Sequence, residues 1–264
     1  MANPTLGSGR VYLAPYVAGQ AARDFRYIGN TPEFNLSIEA EVLEHFNADD
    51  GIREKDFEVS LSTNRTGTLT TDNIDPKNVA LFFFGEESTV TVVGATVTGE
   101  EIDAVKRGLF YQLGATPQNP TGAQGLDIHT APSTKIIVKD DATPTPATYV
   151  EGTDYRIDMK SGMLEIITGG GIVNGTNLVI DYKTASGSFS RVLSGSDAQT
   201  VALKFVTKNG AGEDCIYLMP KVAISPNGDY ALKGEDWQQI PFNLAILKDD
   251  GVEAIYRDGI KFVA

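Results

Sequence analysis

Polar and apolar residues change places at every second position along residues 33–42, and again along 56–62. Phe34, Leu36, Ile38, Ala40 and Val42 alternate with Glu33, Asn35, Ser37, Glu39 and Glu41. Farther on, Phe57, Val59 and Leu61 stand against Asp56, Glu58, Ser60 and Ser62. Successive side chains of a strand point to opposite faces, so each run predicts a half-buried strand with one wet face. The two runs are expected to pair as a long hairpin. Its apolar face would hold the subunit together and its wet face would be acidic. The connection from Glu44 to Lys55 is long for a hairpin and contains a turn at Asp49-Asp50-Gly51. Connections of that kind are usually functional or mobile.

The rest of the chain reads mostly as strands. Residues 1–10 hold Pro4, Gly7 and Gly9 and predict an arm that is mobile unless docked. VYLAPYV (11–17) and DFRYIGN (24–30) predict a first short hairpin. The clearest helix is DPKNVALFFFGEE, with Asp75 as N-cap, Pro76 in the first turn and Gly85 at the C′ position. Val79, Phe82 and Phe83 share one face at helical spacing. Residues 89–113 read as strand, turn and strand, and Pro117, Pro120, Gly122 and Gly125 mark a boundary. Short strands then recur between turns at Asp140-Asp141, Ser161-Gly162 and Asn174-Gly175, the pattern of a small β-sandwich. The division expected is 1–125, an inserted Ig-like β domain over 126–186, and 187–264. In the last part Ile240, Phe242, Leu244 and Ile246 alternate with Gln239, Pro241, Asn243 and Ala245. Pro241 cannot donate a ladder hydrogen bond, so it belongs at an edge, a bulge or a non-bonded position. The fold class is mainly β: two packed antiparallel sheets (a β-sandwich or partial barrel) with one flanking short α-helix, plus the inserted small β-sandwich.

Charge sharpens the picture of the hairpin. The chain carries a net −13. Residues 33–60 hold nine Asp or Glu against Arg53 and Lys55, so this stretch supplies a net −7. Such a chain is poorly suited to gripping nucleic acid, which depends on Lys and Arg neutralising phosphates. No apolar run approaches the roughly 18 residues of a membrane span, and the N-terminus lacks the basic start and apolar stretch of a signal peptide. The single cysteine, Cys215, excludes an intrachain disulfide and reads as a small core residue in CIYLM. His45 and His129 have no second metal ligand at recognised spacing. GGGIVNG (169–175) lacks the Lys-Ser/Thr and the strand–loop–helix setting of a phosphate cradle. Asp49-Asp50 and Asp154…Asp158 lack EF-hand spacing. The paired carboxylates follow strand alternation and do not converge on other catalytic groups. The expectation is a protein that is not an enzyme and uses no cofactor.

Three runs carry a resemblance: GNTPEFNLSIEAEVLEHF, then EVSLSTNRTGTLTTDNIDPKNVALFFFGEE after an acidic turn, then VTGEEIDAVKRGLFYQLG. In this order they resemble major tail tube proteins of long, flexible-tailed (siphovirus-type) bacteriophages. The likeness covers roughly residues 25–115 and, more loosely, 190–264. It implies subunits that close into hexameric rings and stack into a tube, with strands from every subunit forming one barrel around a lumen. Carried onto this chain, strands 33–43 and 56–63 would line the lumen, with Glu33, Glu39, Glu41, Asp56 and Glu58 facing it. The loop residues Glu44, His45, Phe46, Asp49, Asp50, Ile52, Arg53 and Lys55 would reach neighbouring subunits, and 126–186 would sit on the tube exterior. The implied partners are copies of the chain itself, with tail terminator and tail-tip proteins at the ends of the tube. The tape measure protein and double-stranded DNA would pass through the lumen without specific binding, and no membrane is involved. The implied place is the virion tail, made in the host cytoplasm. The alternative expectation is a β-sandwich binding or adhesion module acting through 126–186.

Overall fold

The computed structural model describes residues 4–47, 51–130 and 134–259. In chain order the first strands are β1 (Gly9–Pro15), β2 (Arg26–Tyr27), β3 (Glu33–Asn47) and β4 (Glu54–Thr71), followed by the helix α1 (Pro76–Phe82). Next come β5 (Glu86–Val92), β6 (Thr96–Val105), β7 (Phe110–Gln112), β8 (Leu126–Asp127) and β9 (Ile137–Asp140). Then follow β10 (Tyr155–Asp158), β11 (Met163–Ile166), β12 (Thr176–Thr184) and β13 (Gly187–Leu193). The last strands are β14 (Gln199–Thr207), β15 (Cys215–Pro226), β16 (Ile240–Ile246) and β17 (Tyr256–Gly259). The protein is mainly β, with several antiparallel sheets and one short helix among the described residues.

Two compact units divide the chain: Met1–Ser88 with Ser190–Ala264, and Thr89–Phe189. The insertion therefore begins at Thr89, not at 126, and ends within a few residues of the expected exit. The Pro/Gly-rich stretch that suggested a boundary is a turn inside the second unit. Its backbone is tied there by the Ala123 amide donating to the Leu113 carbonyl (2.7 Å) and the Gly125 amide to Lys160 (2.8 Å). Strand β6, expected in the first unit, pairs with β12 from Thr96 to Val105. β5 and β13, the two crossings between the units, pair with each other.

In the first unit eight strands form one antiparallel sheet in the order β2-β1-β14-β15-β16-β4-β3, with β17 also on β15. Strands β14 and β3 stand four steps apart, which in a flat sheet is about 19 Å at ~4.8 Å per step. Yet the rings of Phe34 on β3 and Phe205 on β14 meet edge to face at 5.3 Å. The sheet therefore curls on itself as a partial barrel, following the twist of its strands. Its interior holds Val11, Leu13, Leu203, Met219, Ile224, Phe242, Leu244 and Leu69, together with Leu81 of the helix.

Helix α1 begins as its sequence dictates, with the Asp75 carboxylate accepting from the Lys77 amide at 2.9 Å. Its end differs from expectation. The Gly85 amide donates to Ala80 and the Phe84 amide to Leu81, the pair of bonds of a Schellman motif. Phe84, not Gly85, therefore takes the left-handed position, with φ 53°. Gly85 is needed one residue later for another reason: a Cβ there would lie 1.7 Å from the Leu193 carbonyl oxygen. Of its apolar residues the helix buries Ala80 and Leu81 most deeply, with Val79 and Phe82 half-buried and Phe83 exposed. Fully buried Asn78 donates to the carbonyls of Ile28 (2.8 Å) and Asn73 (3.0 Å) and accepts from Arg26 (2.8 Å). Burial lowers the Arg26 pKa from its ordinary value.

The second unit builds its own core from two small antiparallel sheets, β10-β11-β7 and β6-β12-β8, with β9 also on β12. Tyr155, Ile157, Leu164 and Ile166 from one sheet pack with Val105, Leu178, Ile180 and Tyr182 from the other. Burial pushes the Tyr155 hydroxyl up to about 12 and raises Tyr182 still further, Glu100 adding to the second effect.

Candidate assembly surface

Strands β3 and β4 pair from Glu33–Thr70 out to Asn47–Glu54. Only the inner end of β4, Thr66–Thr71, has a second neighbour, residues 240–245 of β16. Beyond it the two strands run on as an arm with no third strand among the described residues, and β3 offers its other edge unpaired. A two-stranded ribbon alone is at best marginally stable in water, and long open edges invite pairing with another chain.

The side chains of this arm overturn the expectation that its apolar face packs on the subunit's own core. Phe34 and Leu69 reach the core, but every residue of β3 from Asn35 outward is exposed. Ile38 keeps 62% of its surface in water and Leu61 keeps 56%. The face that carries Phe34, Leu36, Ile38, Ala40 and Val42 is the barrel's interior face carried out past the end of its core.

Register corrects a second expectation, that Glu33, Glu39, Glu41, Asp56 and Glu58 share one face. Glu41 stands opposite Ser62, but Val42 stands opposite Ser60, so Leu61 is an extra residue in β4. Such a bulge moves every later side chain of that strand to the other face. Glu33, Glu39 and Glu41 lie together on the outer face, while Glu58 pairs with Glu44 on the inner one. Past the bulge the apolar residues have crossed over as well. Leu43, Val59 and Phe57 now share the outer face with Glu39 and Glu41, and Phe57 and Leu43 are 64% and 61% exposed. A second bulge lies between His45–Phe57 and Phe46–Lys55, where Asp56 is the extra residue.

Polar contacts fix the tip. The Lys55 ammonium bridges the facing carboxylates of Glu44 (2.6 Å) and Glu58, and these hydrogen bonds raise its pKa. Like charges set opposite each other in a ladder repel, so Lys55 removes a repulsion as well as making a bond. His45 Nδ1 lies 2.6 Å from Asp56 Oδ1. The Arg53 guanidinium sits over the Phe46 ring, 5.6 Å from its centroid. Ile52 is exposed. Asp49 and Asp50 fall outside the described residues. On the outer face Asn35 donates to Glu33 (2.7 Å) and Ser62 to Glu41 (3.1 Å). Of the stretch expected to form a mobile arm, residues 1–3 fall outside the described residues and residues 6–8 lie along residues 208–211: the Leu6 amide donates to Ala211 (3.1 Å) and the Lys208 amide to Ser8 (2.8 Å).

One part of the surface emerges only from the pairing of distant strands. Cross-strand partners place Asn35, Thr68, Asn243 and Ser225 in one outer row, and Ser37, Thr66, Ala245, Ala223 and Thr200 in the next. Glu33, Thr70 and Pro241 make the row beside them. Pro241 turns its carbonyl to the Asn227 amide on the β15 side, so its missing N–H leaves the pairing with Thr70 intact. Apart from Glu33 these rows hold small side chains, and they hold no Lys or Arg. The signal was present in the Ser/Thr/Asn alternation of NRTGTLTT and PFNLA, but the pairing of distant strands was needed to join them.

Chemistry-bearing groups elsewhere are occupied structurally. The Asp154 carboxylate accepts from the Val150 (2.8 Å) and Gly171 (2.6 Å) amides, pinning two loops together. Asp158 accepts from Ser161 Oγ (2.6 Å) and the Lys160 amide (3.0 Å), and these bonds lower its pKa. Cys215 is buried, its amide donating to Thr207 Oγ1 at 2.7 Å. Among the described residues no group of three or more His, Cys, Asp or Glu could hold a metal ion. No described helix is long and apolar enough to cross a membrane.

Residues 4–254 match the model of the family described as Protein of unknown function UCP028589, and the chain belongs to that family. No curated protein matches the chain.

Proposed function

We infer that this chain is a structural subunit that assembles with copies of itself into stacked rings, forming a tube of the kind its sequence resembles in long-tailed bacteriophages. The observation that carries this reading is the arm. It presents an open edge strand and an apolar face continuous with the barrel interior, and the described residues of its own subunit cover neither. A second copy adding its strands there satisfies the free backbone groups and buries the exposed side chains in one step. Contacts of this head-to-tail kind make rings when the rotation closes, and the sixfold number comes from the resemblance.

The outer rows of β3, β4, β16 and β15 suit the wall of a conduit for DNA. Small Ser, Thr and Asn side chains with Glu33 offer phosphates no cation to neutralise, so a duplex slides past without counterion release holding it. Carboxylate repulsion reaches about 8–10 Å at physiological salt, a useful range in a narrow channel. In this reading the tube is passive, and the tape measure protein and DNA move through it.

Negative-stain electron microscopy of concentrated purified protein tests the reading. Rings or tubes of uniform width are expected. Protein that stays monomeric across the whole concentration range, at low and at physiological salt, would rule the reading out.

A further inference from the structure

The arm has two apolar faces, and they point in opposite directions. The inner face of its base takes the strand partner described above. The outer face of its tip carries Leu43, Val59 and Phe57 beside Glu39 and Glu41, and Glu39 has no partner of its own among the described residues. This second patch is apolar with an acidic margin. It therefore needs a partner surface that is apolar with a cationic margin.

The same chain carries such a surface at the opposite end of its sheet. On β1 and β2 the rings of Tyr12 and Tyr27 lie 5.7 Å apart, and the Arg10 guanidinium sits over Tyr27 at 5.6 Å. Across the ladder Tyr12 faces Lys204 on β14, whose ammonium lies 4.8 Å from the centroid of the Phe25 ring. Neither Arg10 nor Lys204 forms an ion pair among the described residues. A cation held on an aromatic face keeps its charge available to an incoming carboxylate while the rings offer apolar contact.

We propose that the outer face of the arm tip docks on the Arg10/Tyr12/Tyr27/Lys204 patch of another copy of this chain, with Glu39 and Glu41 against Arg10 and Lys204. This rests on the self-assembly reading and adds a second joint to it, distinct from strand addition at the base of the arm. The bulge at Leu61 is the device that makes it possible, because it turns the apolar residues of the tip to the face opposite those of the base. Each copy gives one arm and one patch, so the joint is head to tail, and its rotation decides whether it closes a ring or runs on along the stack. It also covers two cations, exposed Arg10 and half-buried Lys204, that would otherwise face phosphate.

Charge exchange in the full chain tests the joint. Arg10→Glu with Lys204→Glu reverses the patch, and Glu39→Lys with Glu41→Lys reverses the arm. Either pair is expected to raise the protein concentration needed for assembly at least about tenfold, since like charges then meet across the contact. A one-to-one mixture of the two variants should assemble as the natural chain does, because each reversed arm meets a reversed patch and each natural arm a natural one. Circular dichroism and melting temperature establish that both variants are folded. Natural protein that assembles while either reversed variant assembles equally well overturns this joint and leaves the tube reading standing. Two defective variants that fail to rescue each other overturn it too. Natural protein that never assembles overturns the tube reading and the joint together.

Discussion

Replacing Ile38 and Leu61 by threonine isolates the contribution of the arm's inner face. Threonine has the β-branched shape that strands favour, so the free subunit should change by less than about 0.5 kcal/mol, as at other exposed positions. Full burial of an Ile or Leu side chain contributes about 1.5–3 kcal/mol. Ile38 keeps 62% of its surface exposed and Leu61 keeps 56%, so a covering partner recovers about 1–2 kcal/mol at each. Threonine retains one methyl of that, and the double variant should lose about 2 kcal/mol per subunit contact, roughly 30-fold in association. Sedimentation velocity over a concentration series reads the association, and thermal melting reads the free subunit. Unchanged association would refute the claim that this face is an interface. A loss that follows a drop in melting temperature would mean the residues stabilise the monomer instead.

Gly85→Ala should destabilise the first unit by about 2 kcal/mol or more, because the new methyl carbon would stand 1.7 Å from the Leu193 oxygen. Gly234→Ala, with no atom within 4 Å of the added carbon, is the near-neutral control, and urea titration compares the two. Excising Thr89–Phe189 and bridging Ser88 to Ser190 with a short Gly/Ser linker should leave a cooperatively melting first unit, since the two cores share no buried residue; a chain that shows no thermal transition would contradict that independence. Raised pKa values at Tyr155 and Tyr182 mean the folded second unit holds protons that the unfolded chain releases near pH 10. Stability from these two hydroxyls is therefore complete below about pH 10 and lost as pH rises through the folded values. Melting of the isolated 89–189 segment should fall between pH 10 and 12, and Tyr155→Phe should flatten that fall.

Local rules were legible in the sequence, and long-range ones were not. Alternation identified β3, β4 and β16, and Asp75-Pro76 identified the start of α1, because each depends on neighbours a few residues away. Alternation could not say where an apolar face stops being covered. Phe34 and Ile38 look alike in sequence, yet one meets Phe205 and the other meets water. The bulge at Leu61 left a mark, the adjacent apolar pair Val42-Leu43 that breaks the alternation of β3, but only the pairing of the two strands reveals that β4 shifts phase with it. Gly85 sits where local rules place a helix C′ glycine, but that is not what constrains it. Its constraint comes from Leu193, more than a hundred residues away. The entry to the second unit was misplaced because turn residues mark turns, and only the pairing of β6 with β12 tells which unit a turn belongs to.

Amide hydrogen exchange on β3 tests the central claim most directly, since it watches the open edge itself. In dilute subunits the alternate β3 amides that point away from β4 should exchange quickly, lacking a partner. In concentrated, assembled protein the same amides between Asn35 and Leu43 should exchange at least about a hundredfold more slowly, as strand ladders do when opening becomes rare. Assembled protein in which these amides still exchange at the dilute rate would contradict the account, because the copies would then be joined through some other surface.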